Sequence, residues 1–199
     1  MKKEELKDFC KSIGIDCVGI AGVGPYYDLE KIIKQRLLNG YITGMEEPII
    51  ENRVNPKETM ENVKSIIVCA FPYYIGDFDE FNLSKYCYRE DYHIVVKDML
   101  QQICNYLSDN IDNFEYKIFA DNGPLVDRYL AYLSGIGYFG INNNIITDEY
   151  GSYVFIGYIM SNYEFKSDTP LEKTCIKCGK CVKYCPGNAI LGNYEMNPK

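Results

Sequence analysis

No apolar run in this 199-residue chain approaches the roughly 18 to 20 residues that cross a bilayer, and no apolar signal stretch follows Met1-Lys-Lys-Glu-Glu-Leu6. A cytoplasmic protein without a membrane span is therefore expected. Positive charge is also short: 21 Lys and Arg stand against 28 Asp and Glu, a net charge of −7 with a pI near 4.9. Phosphate affinity comes mainly from clustered Lys and Arg, so the charge argues against broad nucleic-acid binding and any RNA contact must be local or helped by something else. There is one histidine, His93, at the start of a helical pattern beside Asp91 and Tyr92, where a structural role suits it as well as a functional one. No internal repeat or low-complexity tract occurs.

Cysteine, by contrast, is plentiful and unevenly placed. Four of the nine fall in Cys175-Ile-Lys-Cys178-Gly-Lys-Cys181-Val-Lys-Tyr-Cys185-Pro186, and the others lie scattered in apolar contexts. This is a metal pattern, not a disulfide framework. Thiolates at Cys-x2-Cys-x2-Cys spacing wrap three corners of a 4Fe-4S cluster, and Cys185-Pro186 completes the bacterial ferredoxin pattern, in which the fourth cysteine serves a second cluster. No second motif precedes Lys199, so Cys10, Cys17, Cys69, Cys87 or Cys104, or an external ligand, would have to substitute; truncation is the expected reason. A zinc site is the alternative, but zinc knuckles usually lie well apart and carry no Cys-Pro signature. The segment implies electron transfer, or a reduction fed by it.

The remaining composition, 47% apolar and 25% charged, suits one globular core with a small appendage. Apolar periodicity predicts helices over Glu4 to Ile13, from a cap at Asp28 to Leu37, over Tyr92 to Leu107, and over Leu125 to Leu133 with Pro124 in its first turn. Strands are predicted at Cys17 to Ile20, Ser65 to Phe71, Tyr116 to Ala120 and Gly151 to Met160. The run Ser65-Ile-Ile-Val-Cys-Ala-Phe71 reads as a strand buried on both faces. Composition turns polar after Met160, which puts a domain boundary near residue 165: an α/β domain over 1–165 and an iron–sulfur segment over 166–199.

Several stretches together resemble the epoxyqueuosine reductase family almost end to end. They are Gly44-Met45, Arg53-Val-Asn-Pro56, Phe71-Pro-Tyr-Tyr74, Ser84-Lys-Tyr-Cys-Tyr-Arg-Glu-Asp-Tyr-His93, Ala120-Asp-Asn-Gly-Pro-Leu-Val-Asp-Arg-Tyr-Leu-Ala131, Gly135-Ile-Gly-Tyr-Phe-Gly140 and Gly151-Ser-Tyr-Val-Phe-Ile-Gly157. The resemblance implies an α/β (α+β) fold: a nitroreductase-like cobalamin-binding sheet with flanking helices, followed by a partial ferredoxin-like 4Fe-4S segment. It implies reduction of epoxyqueuosine to queuosine in tRNA, with cobalamin and 4Fe-4S clusters as cofactors and an external ferredoxin- or flavodoxin-type reductant. Asp121 matches the family's proposed general acid, which would protonate the epoxide-derived oxygen; beside Asn-Gly-Pro an Asp is otherwise a turn or cap residue. To act near neutral pH, its carboxyl would need burial against an apolar ligand.

Cofactor contact is implied for Tyr73, Tyr74, Arg128, Gly135, Gly137, Gly140 and Asn142, with Cys175, Cys178, Cys181 and Cys185 as metal ligands. The glycines alternatively form a helix cap and tight turn, and Asn142 to Asn144 an exposed turn. Arg53, Arg89 and Arg128 are candidates for phosphate, Arg128 first, and Tyr88 is a further stacking candidate. Ile141 stands where the family commonly has Lys. Two rival readings are a reductive-dehalogenase-like corrinoid reductase of another substrate and a non-catalytic 4Fe-4S electron-transfer protein.

Overall fold

A computed structural model describes residues 1–77 and 82–198. Its elements run α1 (Lys3–Ser12), β1 (Cys17–Ala21), α2 (Tyr27–Leu38), α3 (Ile50–Val54), β2 (Ser65–Pro72), α4 (Tyr92–Asn110), β3 (Tyr116–Ala120), α5 (Asp127–Leu133), β4 (Tyr138–Phe139), β5 (Ile145–Ile146), β6 (Val154–Ser161), α6 (Lys180–Lys183), β7 (Ile190–Gly192) and β8 (Glu195–Met196). Strands β1, β2, β6 and β3 form one sheet in that order, and every neighbouring pair is antiparallel.

Side-chain alternation divides this sheet between two cores. On β2, Ile67, Cys69 and Phe71 face α1 and α4, where they meet Leu6, Cys10, Leu100, Ile103 and Leu107. The intervening Ile66 and Val68 face α2 and α5, with Leu29, Ile33, Leu130 and Tyr158. Strand β2 is thus buried on both faces from Ser65 to Phe71, as its unbroken apolar run predicts. Helices cover both sides, giving the mixed α+β architecture.

Helix α1 ends as its sequence suggests. Gly14 takes φ of +87°, its N–H bonds Lys11 O at 3.0 Å, and the next N–H, from Ile15, bonds Cys10 O at 2.9 Å. This pair of hydrogen bonds closes the helix with Ile15 turned into the core. Two local expectations fail. Asp28 is not the cap of α2; it lies inside the first turn and pairs with Lys31 at 3.0 Å, Tyr26 being the preceding residue. Helix α5 starts at Asp127, so Pro124 lies ahead of it and residues 121–126 form the connection that lines a cleft. Strand β6 begins at Val154 because Thr147 and Gly151 bridge to form a turn first.

The chain near residue 165 remains attached to the sheet: Phe165 is buried in the α1–α4 core, and Asp168 accepts the Ile20 N–H at 2.9 Å and pairs with Lys3 at 2.6 Å. Helix α5 presses directly on β1. A Cβ on Gly19 would fall 2.2 Å from Ser134 O, a backbone atom that cannot swing away. Gly19→Ala is expected to destabilise the fold by about 1–3 kcal/mol, the usual cost of overpacking. Denaturant unfolding checks this: the midpoint falls at constant slope, whereas an unchanged midpoint contradicts the contact.

Candidate functional site

At the end of β3 the chain turns sharply. Asp121 has φ of +66°, a left-handed conformation that Asp tolerates better than most side chains, and Asn122 N–H bonds back to Ala120 O at 3.1 Å. The sheet is antiparallel, so the rule that places ligands at the carboxyl ends of parallel strands does not explain this position. The start of α4 does. Asp91 caps that helix by accepting the His93 N–H at 2.9 Å, which brings Tyr92 and His93 against Asp121. Tyr92 OH donates to Asp121 Oδ2 at 2.9 Å, and His93 Nε2 lies 3.3 Å from the same oxygen. The other imidazole nitrogen, Nδ1, is 2.7 Å from Asp91 Oδ1.

His93, read from sequence as equally suited to a structural role, is therefore part of a chain Asp91–His93–Asp121. The Asp91 bond, followed by Asp121, raises the imidazole above its ordinary value. Tyr92 stacks on Phe155 with centroids 3.9 Å apart, and its phenol is pushed up to about 12 by burial and then by the bond to Asp121. Tyr73 lies behind this pair, 4.7 Å from the Phe155 ring, and Tyr74 bonds Asp77 at 3.2 Å. Neither lines the cleft beside Asp121. Tyr88 donates to Leu83 O at 3.0 Å, away from Asp121.

Asp121 lines a polar cleft of about 450 Å³ with Tyr92, Arg53, Asp127 and Arg128. Its side chain is 56% exposed, so the protein alone does not bury it; an apolar ligand would have to. Asp127, by contrast, has a buried Oδ1 without a hydrogen-bond partner, and burial, then the Asp121 charge, pushes its carboxyl up to about 7. A carboxyl raised in the folded state binds protons more tightly than in the unfolded chain, so it erodes stability as pH rises from about 4 to about 7. Asp127→Asn is thus expected to be more stable than the unsubstituted protein by an amount that grows with pH across that window, by about 1 kcal/mol or more at its top. Denaturation at pH 4 and pH 7.5 tests this; a pH-independent difference contradicts it.

A second, larger cleft of about 880 Å³ adjoins the first and shares Glu46, Arg53, Val126 and Arg128 with it. Its walls are apolar and aromatic: Leu29 and Ile33 of α2, Tyr129 and Tyr132 of α5, Phe139 of β4 and Met196 of β8. Arg128 Nη1 donates to Asn143 O at 2.7 Å, and Asn143 Nδ2, buried in the same wall, has no partner. The turn glycines stand beside these walls rather than along them. Gly135, at φ of +70°, ends α5, with Ile136 N–H on Ala131 O at 3.1 Å. A Cβ on Gly137 would meet Ile146 O at 2.7 Å, and one on Gly140 would meet Asn142 Oδ1 at 2.5 Å. Asn142 Oδ1 accepts the Asn144 N–H at 3.2 Å, so its side chain closes the β4–β5 turn. Ile141 is only 7% exposed, packed where a Lys would have to reach outward.

The chain on either side of the cysteine segment lines the larger cleft, Leu171 and Thr174 before it and Tyr194 and Met196 after it. Lys177 and Gly179 have positive φ, and the Lys177 N–H bonds Cys175 Sγ at 3.4 Å. The Cys185 thiol is lowered from its ordinary value by backbone N–H groups, Ile190 first and then Ala189, Gly187 and Asn188, against a smaller burial effect. Amides aimed at sulfur favour the thiolate and are the donor set an iron–sulfur cluster uses, so these residues fit that group. Among the described residues no three His, Cys, Asp or Glu side chains gather around a single metal-ion position. Cys10, Cys69 and Cys104 are buried in the α1–α4 core, on the sheet face away from α2 and α5, and cannot complete a cluster at residues 175–185 without unfolding. Burial pushes the Cys104 thiol up to about 12.

Comparison with known proteins agrees with this arrangement. Residues 53–122 match the family model described as "Epoxyqueuosine reductase QueG, DUF1730", and residues 171–191 match the "4Fe-4S binding domain". The epoxyqueuosine reductase of Bacillus anthracis is 37% identical over 99% of this chain and 54% of its own length; that of Bacillus subtilis is 35% identical over 98% and 53%. The chain spans about half the length of the curated relatives it matches. An epoxyqueuosine reductase solved with an epoxyqueuosine-modified tRNA-Tyr stem loop superposes with a TM-score of 0.90 at 33% identity, over 98% of this chain and 54% of that one. A catabolic reductive dehalogenase shares the fold alone, with a TM-score of 0.52 at 14% identity, over 98% of this chain and 24% of that one. Fold, joined clefts and cysteine segment define a class: an iron–sulfur protein whose α+β domain offers a cofactor-sized cleft. Along the half of those proteins that it spans, the chain belongs to the epoxyqueuosine reductase family.

Proposed function

We propose that this chain serves the reduction of epoxyqueuosine to queuosine in tRNA, holding cobalamin in the joined clefts and receiving electrons through its iron–sulfur segment from a ferredoxin- or flavodoxin-type donor in the cytoplasm. The observation that carries this reading is the placement of Asp121, bonded by Tyr92, in a polar cleft that adjoins an apolar cleft lined in part by the chain flanking the cysteine segment. No helix among the described residues is long and apolar enough to cross a membrane. The relative solved with a modified tRNA stem loop supports the substrate, and a B12-dependent dehalogenase of the same fold supports the cofactor.

The residues fit such a cofactor. A flat apolar macrocycle edged with amides suits a cleft walled by Tyr129, Tyr132 and Phe139 that also presents the unpartnered Asn143 Nδ2. When bound, cobalamin supplies a low-valent cobalt centre for two-electron reduction. The overall change consumes two electrons and two protons and releases the epoxide oxygen as water. Asp121 delivers a proton from its carboxyl to the epoxide-derived oxygen. His93, protonated and held through Nδ1 by Asp91, returns one from Nε2 to Asp121 Oδ2. Tyr92 fixes that oxygen from the other side.

The reading is tested by incubating the anaerobically reconstituted protein with an epoxyqueuosine-bearing anticodon stem loop and a low-potential reductant. Queuosine in the digested RNA is the expected product. Unchanged epoxide with both cofactors loaded contradicts the proposal.

A further inference from the structure

Three arginines from three helices meet where the two clefts join: Arg36 of α2, Arg53 of α3 and Arg128 of α5. Arg53 and Arg128 line both clefts, and Arg36 lines the larger. Among the described residues none of the three forms an ion pair with Asp or Glu. The hydrogen bonds of the two nearby glutamates go to other groups. Glu46 accepts the Thr43 and Gly44 N–H groups at 2.9 Å, and Glu47 accepts the Ile49 N–H at 3.0 Å and the Asn52 amide at 3.2 Å.

Each of two guanidiniums is oriented by a single carbonyl, Arg36 by Tyr41 O at 3.0 Å and Arg128 by Asn143 O at 2.7 Å, which leaves most of their five N–H donors unused. Burial lowers both Arg53 and Arg128 from their ordinary value and Arg36 adds its repulsion to each; Glu46 and Glu47 oppose this at Arg53 and Asp127 opposes it at Arg128 without restoring either. Asn143 contributes a further buried donor, Nδ2, with no acceptor. The junction is therefore rich in donors and cations; Glu46, Glu47 and Asp127 stand near them, but none forms an ion pair with the three guanidiniums among the described residues.

Like charges held together with no direct ion pair are costly unless an anion joins them, and the planar arginine fork suits phosphate oxygens. The position narrows the anion further. It lies between an apolar cleft and a polar one, so a ligand occupying both must carry its charge internally. A carboxylate is terminal, whereas a phosphodiester joins two moieties and leaves two oxygens exposed.

We propose that Arg36, Arg53 and Arg128, with Asn143 Nδ2, form a phosphodiester-binding site at the junction of the two clefts. The diester belongs to an RNA backbone or to the nucleotide tail of a corrinoid. Only this choice of source rests on the proposed function; the oxyanion site itself does not.

The test uses the full chain, the double variant Arg36→Gln/Arg53→Gln and the two single variants, each checked for folding by circular dichroism. Diethyl phosphate is compared with chloride at equal ionic strength in thermal unfolding. It should raise the melting temperature of the unsubstituted chain and have little effect on the double variant, because only a ligand of the folded state stabilises it. No rise in the unsubstituted chain, or an equal rise in both, overturns the site. Where the double variant does not fold, the single variants carry the comparison, each with a reduced rise.

The source is then read by titration. Cobalamin bound about tenfold or more weakly by the variant, with cobinamide, the corrin lacking the nucleotide, unchanged, assigns the corrinoid tail. A comparable loss for an anticodon stem loop, with a shallower salt dependence and both corrinoids unchanged, assigns the RNA backbone. Unaltered affinity for all three ligands overturns the proposal. An unsubstituted chain that responds to diethyl phosphate yet binds neither corrinoid nor RNA leaves the site standing and removes the reductase reading.

Discussion

Asp121→Asn is expected to lower the reduction of epoxyqueuosine in RNA by about 10²- to 10⁴-fold, the usual contribution of a positioned general acid, while leaving corrinoid affinity unchanged. The substitution is a sharp one for local reasons. Asparagine tolerates the left-handed backbone of residue 121 as aspartate does, and its side-chain oxygen still accepts from Tyr92. What it lacks is a proton to give and a carboxylate for His93 to recharge. The same chain of groups sets a pH dependence. His93 is raised above 6.5 by Asp91 first and Asp121 second, so its protonated form persists below that raised value and is lost as pH climbs through it. Turnover should accordingly fall on an alkaline limb above pH 6.5, and Asp91→Asn should move that limb to lower pH. Undiminished turnover in Asp121→Asn removes the carboxyl from the mechanism.

Cys178→Ser should have the second large effect: loss of one cluster, about four iron atoms per chain, and of turnover driven by an external reductant. Corrinoid affinity should survive, because no cysteine is among the described residues that line the cleft and its aromatic walls come mainly from α5 and β4. Cys185→Ser is the informative partner. Its sulfur is bonded by the amides of residues 187 to 190, whereas Cys175 is bonded by Lys177 N–H, so the two thiols occupy different amide environments. The two variants should therefore give different iron–sulfur electron paramagnetic resonance spectra after reduction. Identical loss of all iron in both would place the four cysteines on one cluster.

Much of this architecture is legible in the sequence because its elements obey simple periods. The strand Tyr116–Ala120 has the expected bounds, and β2 is buried on both faces as its apolar run implies. The strand direction is not legible: a run buried on both faces looks the same in a parallel sheet and in an antiparallel sheet covered by helices on both sides. Asp28 and Pro124 mislead for a related reason, since cap residues are common in turns and first turns generally, and tertiary packing decides where α2 and α5 begin. At the candidate site, the cysteine spacing and the position of Asp121 can be read directly. The roles of Tyr92 and His93 cannot, because their contacts with Asp121 span 29 and 28 residues. Asp127 and Arg36 are likewise ordinary helix residues in sequence. Only the fold shows one to have a buried, unpartnered oxygen and the other to share a cleft with two more cations.

The central claim is that the cleft joining the Asp121 pocket to the chain around the cysteine segment holds a corrinoid within reach of iron–sulfur electrons. Anaerobic reconstitution with iron, sulfide and cobalamin, followed by desalting and metal analysis, tests it most directly. The expected result is one cobalt per chain together with cluster iron, with the cobalt lost and the iron retained when the apolar wall is filled by Leu29→Trp. Iron without cobalt in the unsubstituted chain would contradict the claim and leave an electron-transfer protein in its place.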